Sequence, residues 1–195
     1  MKGQRTVGQY RTIDLSLCGL MVAAAEMLLV TAATRWFPHE AYTVSATAAL
    51  TAIVMIRWGP WAAIHACLGG MVFCWASGGA WKQYLTYCAG NELALLMLLV
   101  VRKKGDEYIR ADALRTMVFG LGVLLLMQAG RALVAMALGA KAAQALGFFT
   151  TDSVSAVFTL VVMWIVRRLD GVFENQYHYL RRIQAERDRE EGGYR

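Results

Sequence analysis

The chain has 195 residues, 57% of them hydrophobic, and a mean hydropathy of +0.41. A soluble domain of this size does not carry several apolar runs of nearly membrane-spanning length, so the composition excludes a soluble globular protein. The net charge of +6 then concerns membrane orientation and contact with anionic lipid rather than nucleic acid.

Six apolar runs predict an all-α integral membrane protein with a six-helix bundle. They cover residues 13–34, 43–57, 59–77, 83–101, 113–138 and 151–166. Several are shorter than the roughly 20 residues of a straight span, so tilted or partly re-entrant segments are expected. The second and third runs are separated by Arg57-Trp58-Gly59-Pro60, a charge followed by a helix breaker. The predicted domains are a cytoplasmic segment 1–11, the membrane domain 12–168 and a cytoplasmic tail 169–195.

The cations predict that both termini lie in the cytoplasm. With that orientation, only Arg35, Lys82 and Lys141 of the 20 lysines and arginines fall outside, and Arg131 lies within the membrane. Every loop then obeys the positive-inside rule. The sequence therefore predicts a multi-pass protein of the cell membrane, in contact with anionic lipid.

Five polar residues fall between the midplane and the outer half of the predicted spans: Glu26, Asn91, Glu92, Gln128 and Arg131. A charge at membrane depth costs at least about 2.5–3.5 kcal/mol, so it is retained only where protein or water surrounds it. One interpretation is a structural ion pair between Arg131 and Glu92 or Glu26. The other is an outward-facing pocket for a polar solute, and the two are compatible. His65 is expected to be a hydrogen-bonded residue between helices.

Aromatic residues concentrate at the predicted outer ends, where Trp36, Tyr84 and Phe148 precede or follow spans. Such rings are ordinarily interfacial anchors, but together with polar groups they also suit a lid over a flat heterocycle. The candidate substrate-binding residues are therefore Glu26, Trp36, Tyr84, Asn91, Glu92, Gln128, Arg131, Phe148 and Asp152.

Catalytic motifs are missing from the sequence. It contains no Gly-x-x-x-x-Gly-Lys-[Ser/Thr] phosphate loop, no Gly-x-Ser-x-Gly and no His-Glu-x-x-His, so no enzymatic activity and no cofactor are predicted. The four cysteines lack zinc-binding spacing and are expected to be small buried hydrophobic residues rather than metal ligands. Active transport would need energy from a partner or an ion gradient.

Two segments carry a resemblance to a known family. One is the small-residue patch Gly19-Leu-Met-Val-Ala23-Ala24-Ala25, and the other runs from Tyr42 to Gly70, with Gly59-Pro60 followed by Gly69-Gly70. With its size, six runs and charge map, the chain resembles the S-components of energy-coupling factor (ECF) transporters over about residues 12–168. These are membrane subunits that capture vitamins for uptake.

The resemblance implies a small vitamin-like solute, bound from outside at the outer ends of the last three spans. It assigns Asn91, Glu92, Gln128, Arg131 and Asp152 to that pocket, under loops with Trp36, Tyr84 and Phe148. It also implies a transmembrane coupling subunit that contacts Gly19 and Ala23, and two cytoplasmic ATPases. The alternative for Gly19 and Ala23 is packing within the bundle.

Two other functions stay open at this point. A structural six-span protein of the rod-shape-determining MreD type would explain the topology and the charges, although Glu26, Glu92 and Arg131 argue against pure scaffolding. A small ion-coupled carrier would use the same residues as a relay, but no internal repeat is evident. The tail is expected to form an amphipathic helix through Leu169, Val172, Phe173, Leu180 and Ile183.

Overall fold

The computed structural model describes residues 6–39 and 43–192, and within these ranges the chain is helical and contains no strand. Part of the predicted segment 1–11, and Tyr42 at the start of the family-like segment, lie outside the described residues. The helices are α1 (Val7–Trp36), α2 (Thr47–Trp58), α3 (Ala62–Ala76), α4 (Trp81–Asn91), α5 (Leu98–Lys104), α6 (Asp106–Ala111), α7 (Ala113–Ala137), α8 (Ala142–Thr151), α9 (Ser153–Val166) and α10 (Gln176–Gly192).

Five helical stretches of the described chain are long and apolar enough to cross a membrane. They are Val7–Trp36, Thr47–Ala76, Trp81–Lys104, Ala113–Ala137 and Ala142–Val166. The prediction of an all-α, multi-pass membrane protein is thereby confirmed. The boundaries differ most in two places: the second and third predicted runs form one stretch, and the last stretch starts nine residues earlier, because residues predicted as a loop form α8.

The second stretch folds back on itself at Gly59. Gly59 has a backbone φ of +61°, which residues with side chains rarely adopt, and it opens a 3-10 turn that contains Pro60. Gly69 of α3 lies directly against the side chain of Thr47, the first residue of α2, so the two arms run antiparallel. With 12 and 15 residues, the arms are about 18 and 22 Å long, shorter than a hydrocarbon core of about 30 Å.

This hairpin and α7 form the centre of the bundle. In the most apolar window of Thr47–Ala76, 61% of the residues are buried, against 17% for α1. The shared core includes Met55 and Ile56 of α2 with Val123 and Met127 of α7. α1 and the last stretch therefore lie at the periphery, with most of their apolar surface turned outward.

α4 and α7 cross with their backbones in close approach. Gly90 of α4 lies against Gly130 of α7, and a Cβ atom added to Gly90 would be 2.6 Å from the Cα of Arg131. Small residues permit such close approach of membrane helices. The crossing brings Asn91 and Arg131, the residues that follow the two glycines, next to each other.

At one end of the bundle, an ion pair and hydrogen bonds of Arg57 join the start of α1, the end of α2 and the segment after α9. The Arg57 guanidinium donates hydrogen bonds to both oxygens of Asp14 (2.6 and 2.9 Å) and to the carbonyls of Gly171 and Val172 (2.9 and 2.7 Å). We call this the basic end. At the opposite end, the backbone N–H of Thr43 donates to the carbonyl of Thr151 at 3.0 Å.

The tail differs from its predicted form. Residues 167–175 form turns, and the helix starts only at Gln176. Phe173, predicted on the apolar face of an amphipathic helix, is fully buried in the core of the bundle. Glu174 is also buried and accepts hydrogen bonds from Arg110 and Arg182. The membrane domain therefore packs against chain beyond its predicted limit at residue 168.

The close crossing at Gly90 and Gly130 predicts that a larger residue there lowers the stability of the protein. We expect Gly130→Ala to lower the stability of the purified protein by about 1–3 kcal/mol, because its Cβ would overlap the carbonyl oxygen of Gly90. Thermal unfolding in detergent measures the effect. Gly147→Ala in α8 is the matched control, since nothing lies within 4 Å of its added Cβ. Equal stability of the two variants would contradict the close crossing.

Candidate functional site

Asp152, at the junction of α8 and α9, is the point on which four polar side chains converge. Its Oδ2 accepts hydrogen bonds from Gln128 and from Nη1 of Arg131, the latter at 3.0 Å. Its Oδ1 accepts from the hydroxyls of Thr43 and Ser155, the latter at 3.2 Å. Because both carboxylate oxygens are engaged, the buried charge of Asp152 is compensated within the protein.

Arg131 connects three further helices to Asp152. The residue is 3% exposed, and its Nε donates to Oδ1 of Asn91 at 2.8 Å. The amide nitrogen of Asn91 donates in turn to the carbonyl of Ala66 in α3 at 2.9 Å. The guanidinium also lies 4.4 Å from the ring centre of Tyr87, a cation–π contact. Arg131 therefore links α3, α4, α7 and the start of α9.

Glu26 of α1 is fully buried and caps the start of α2. Its Oε1 accepts from the hydroxyl of Ser45 at 2.6 Å and from the backbone N–H of Thr47 at 2.7 Å, and also from the Thr47 hydroxyl. The N-cap residue Ala46 offers no side-chain acceptor, so a carboxylate from a neighbouring helix satisfies the helix terminus instead. Ser45 N–H donates to Ser155 Oγ at 2.9 Å, which joins Glu26 to the Asp152 cluster.

These hydrogen bonds form one connected set, which we call the polar network: Glu26, Thr43, Ser45, Thr47, Asn91, Gln128, Arg131, Asp152 and Ser155. Five of the nine candidate residues named from the sequence belong to it. Thr43, Ser45, Thr47 and Ser155 were missed, since hydroxyl residues near helix starts are common and carry no specific signal.

Glu92 does not belong to the polar network. The expected ion pair of Arg131 with Glu92 or Glu26 is wrong, because Arg131 pairs with Asp152. Glu92 instead lines a cavity of about 650 Å³ toward the basic end, together with Met55, Leu96 and Arg102. Consecutive helical residues point in different directions, so Asn91 and Glu92 cannot both face α7.

The predicted lid aromatics occupy different positions. Phe148 packs edge-on against Tyr87, with ring centres 6.0 Å apart, and Phe73 stacks on Tyr87 with ring centres 4.7 Å apart. Trp36 is 74% exposed and Tyr84 is half-buried; neither takes part in this stack. Tyr87 was not among the candidate residues, although it lies one turn before Asn91 and therefore on the same helix face.

A cavity of about 230 Å³ opens beside the aromatic stack, at the end of the bundle opposite the basic end. Its lining comes from α1, the following connection, α3 and Thr43: it includes Ala33, Phe37, Thr43, Phe73 and Ser77. Phe73 contacts this cavity and Tyr87, and Tyr87 contacts Arg131. The cavity is thus separated from the guanidinium by two rings.

His65 and Gly19 lie between α1 and α3. His65 Nε2 is 2.9 Å from the carbonyl oxygen of Leu15, in agreement with the interhelix position expected for this residue. A Cβ atom at Gly19 would lie 3.5 Å from Leu68 and 3.8 Å from His65 of the same chain. Gly19 therefore packs within the bundle, while the neighbouring Leu20 is exposed.

The four cysteines are free thiols, of which Cys74 is buried and the other three are half-buried. In the described parts of the chain, no three or more histidine, cysteine, aspartate or glutamate side chains gather as they would around a metal ion.

Comparisons with protein-family models, with curated proteins and with solved structures gave no match. The fold class is that of a multi-pass helical membrane protein, and any narrower assignment rests on the site itself.

The Arg131–Asp152 pair is open to a direct test. We expect Arg131→Met to cost about 3–5 kcal/mol of stability, because it leaves the Asp152 carboxylate buried without its cation. Adding Asp152→Asn should recover most of that loss. Unfolding in detergent measures both variants. Glu92→Gln, outside the network, is the control and should leave stability nearly unchanged; a large loss there would contradict the assignment of partners.

Proposed function

We propose that this chain is a substrate-binding membrane subunit of the ECF S-component type, which captures a small vitamin-like solute from outside. The observation that supports the proposal is that the buried guanidinium of Arg131 lies over the ring of Tyr87. Arg131 uses Nε and Nη1 in the polar network, while Nη2 donates no hydrogen bond to the described residues. A buried guanidinium with a donor to spare, which two stacked rings separate from a small cavity, suits a planar solute that stacks on those rings and carries an acceptor group.

The proposed topology has six crossings and both termini in the cytoplasm. It takes the two arms of the Gly59 hairpin as separate, short crossings. Its support is that Asp14, Arg57 and Gly171 meet at the basic end, whereas Thr43 and Thr151 meet at the other. The cation-rich basic end then faces the cytoplasm, as the positive-inside rule requires.

Accessibility of engineered cysteines tests this topology. In a variant without the four native cysteines, Lys82→Cys and Lys141→Cys should react with a membrane-impermeant thiol reagent added to intact cells. Lys103→Cys should react only after the membrane is opened. Labelling of Lys103→Cys in intact cells would contradict the proposed orientation.

The proposed partners are a transmembrane coupling subunit and two cytoplasmic ATPases. The sequence has no phosphate loop of its own, so uptake against a gradient would need such partners. α1 offers the surface: Leu20, Met21 and Leu28 are 67%, 59% and 71% exposed on a helix that is mostly unburied. Because Gly19 faces α3, the contact would centre on these exposed residues and on Ala23 and Ala24.

Filling the 230 Å³ cavity beside the aromatic stack tests solute binding. Ala33→Phe places a ring in the cavity and should weaken binding of the cognate solute by about 10-fold or more, as expected when about 1.4 kcal/mol is lost. The solute is first identified by screening water-soluble vitamins and nucleobases for a rise in Tm of the purified wild type. Leu28→Phe, on the exposed face of the same helix, is the control and should bind normally.

Two results would contradict the proposal: the absence of any stabilising solute in the screen, and failure to copurify an ATPase and a coupling subunit. One observation favours a structural protein of the MreD type as the second candidate, since Asp152 is fully hydrogen-bonded without a ligand. In that case Ala33→Phe would leave function intact, whereas Arg131→Met would abolish it through instability.

A further inference from the structure

Three buried side-chain oxygens have no hydrogen-bond partner among the described residues: Oε2 of Glu26, Oγ1 of Thr51 and Oγ1 of Thr159. All three residues are fully buried, with 0% exposure. A buried polar group without a partner costs about 1–3 kcal/mol, so three of them in one bundle require an explanation.

Glu26 belongs to the polar network, and the two threonines lie one helical turn beneath members of it. Thr51 is one helical turn beyond Thr47, which binds Glu26, and an i, i+4 spacing places it on the same face of α2. Thr159 is likewise one turn beyond Ser155, which binds Ser45 beside Glu26. Both hydroxyls are thus about 6 Å deeper than the network, in the direction of the basic end.

The charges of the polar network do not balance. Asp152 neutralises Arg131 through a 3.0 Å ion pair. Glu26 accepts hydrogen bonds from neutral donors only, and it forms no ion pair within the described chain. The network therefore carries one carboxylate more than it has cations, at a depth where an uncompensated charge is costly.

We infer that Glu26, Thr51 and Thr159 bind a dehydrated monovalent cation, Na⁺, beneath the polar network. Hard cations take oxygen ligands, and membrane transporters coordinate Na⁺ with carboxylate, hydroxyl and carbonyl oxygens beside helix ends. One carboxylate oxygen and two hydroxyls supply three such ligands, and Na⁺ cancels the excess charge. The site is separate from the 230 Å³ cavity and does not depend on the solute proposed above.

The test uses the purified full-length chain without partners. Tm is measured as NaCl increases, with choline chloride keeping the ionic strength constant, because a ligand that binds only the folded state raises Tm. We expect a saturable rise with Na⁺ and little with choline. Retention of radioactive sodium by the protein gives an independent measure of affinity.

Thr51→Val and Thr159→Val separate the inference from a purely structural role. Each should weaken Na⁺ binding by about 10-fold or more, yet keep or raise Tm in sodium-free buffer, because a buried unpaired hydroxyl is removed. Thr86→Val is the matched control: Thr86 is buried in α4, and its hydroxyl already donates to the carbonyl of Lys82 at 2.9 Å. It should respond to Na⁺ as the wild type does.

Glu26→Gln should abolish the response to Na⁺ where the variant folds. Three results would overturn the inference: Tm that does not depend on Na⁺, threonine variants with wild-type Na⁺ affinity, or stability that varies with pH alone. The last result would mean that a proton neutralises Glu26.

Discussion

The close crossing of α4 and α7 at Gly90 and Gly130 is the constraint on which the arrangement of buried polar groups depends. Without it, Asn91 could not reach Nε of Arg131, and the guanidinium would lose one of its hydrogen bonds in a medium where unpaired donors are costly. Asp152 supplies the opposite charge from another helix. Three segments far apart in sequence are thereby fixed to each other by one buried cation.

The two ends of the bundle are held by different kinds of interaction. At the basic end, Arg57 joins α1, α2 and the tail through charged hydrogen bonds close to the boundary. At the other end, Glu26 and Asp152 are deeply buried and bonded mainly to hydroxyls and amides. The central hairpin spans both, because α2 starts at Thr47, which binds Glu26, and Arg57 near its other end binds Asp14. A change at Glu26 or at Asp14 therefore acts on the same short helix.

The sequence predicted the helical class and five members of the polar network, since apolar runs indicate membrane helices and polar residues within them stand out. It did not predict which partner Arg131 takes. Glu92 and Asn91 have nearly equal depth but point in different directions, and a 3-10 segment begins at Glu92, which alters the helical rotation further. Phe173 was likewise misplaced, since helical spacing cannot reveal a turn that inserts one ring into the core.

The two sites proposed for this protein share a physical connection. Ser155 donates to Asp152 and accepts from Ser45, and Ser45 donates to Glu26, so three hydrogen bonds connect the ion pair to the excess carboxylate. A solute group that binds Nη2 of Arg131 would share the guanidinium with Asp152 and alter the charge that Ser155 faces. A cation at Glu26 would act on the same serine pair from the other side. Binding at each site should then change affinity at the other by the same factor, because coupling free energies are reciprocal.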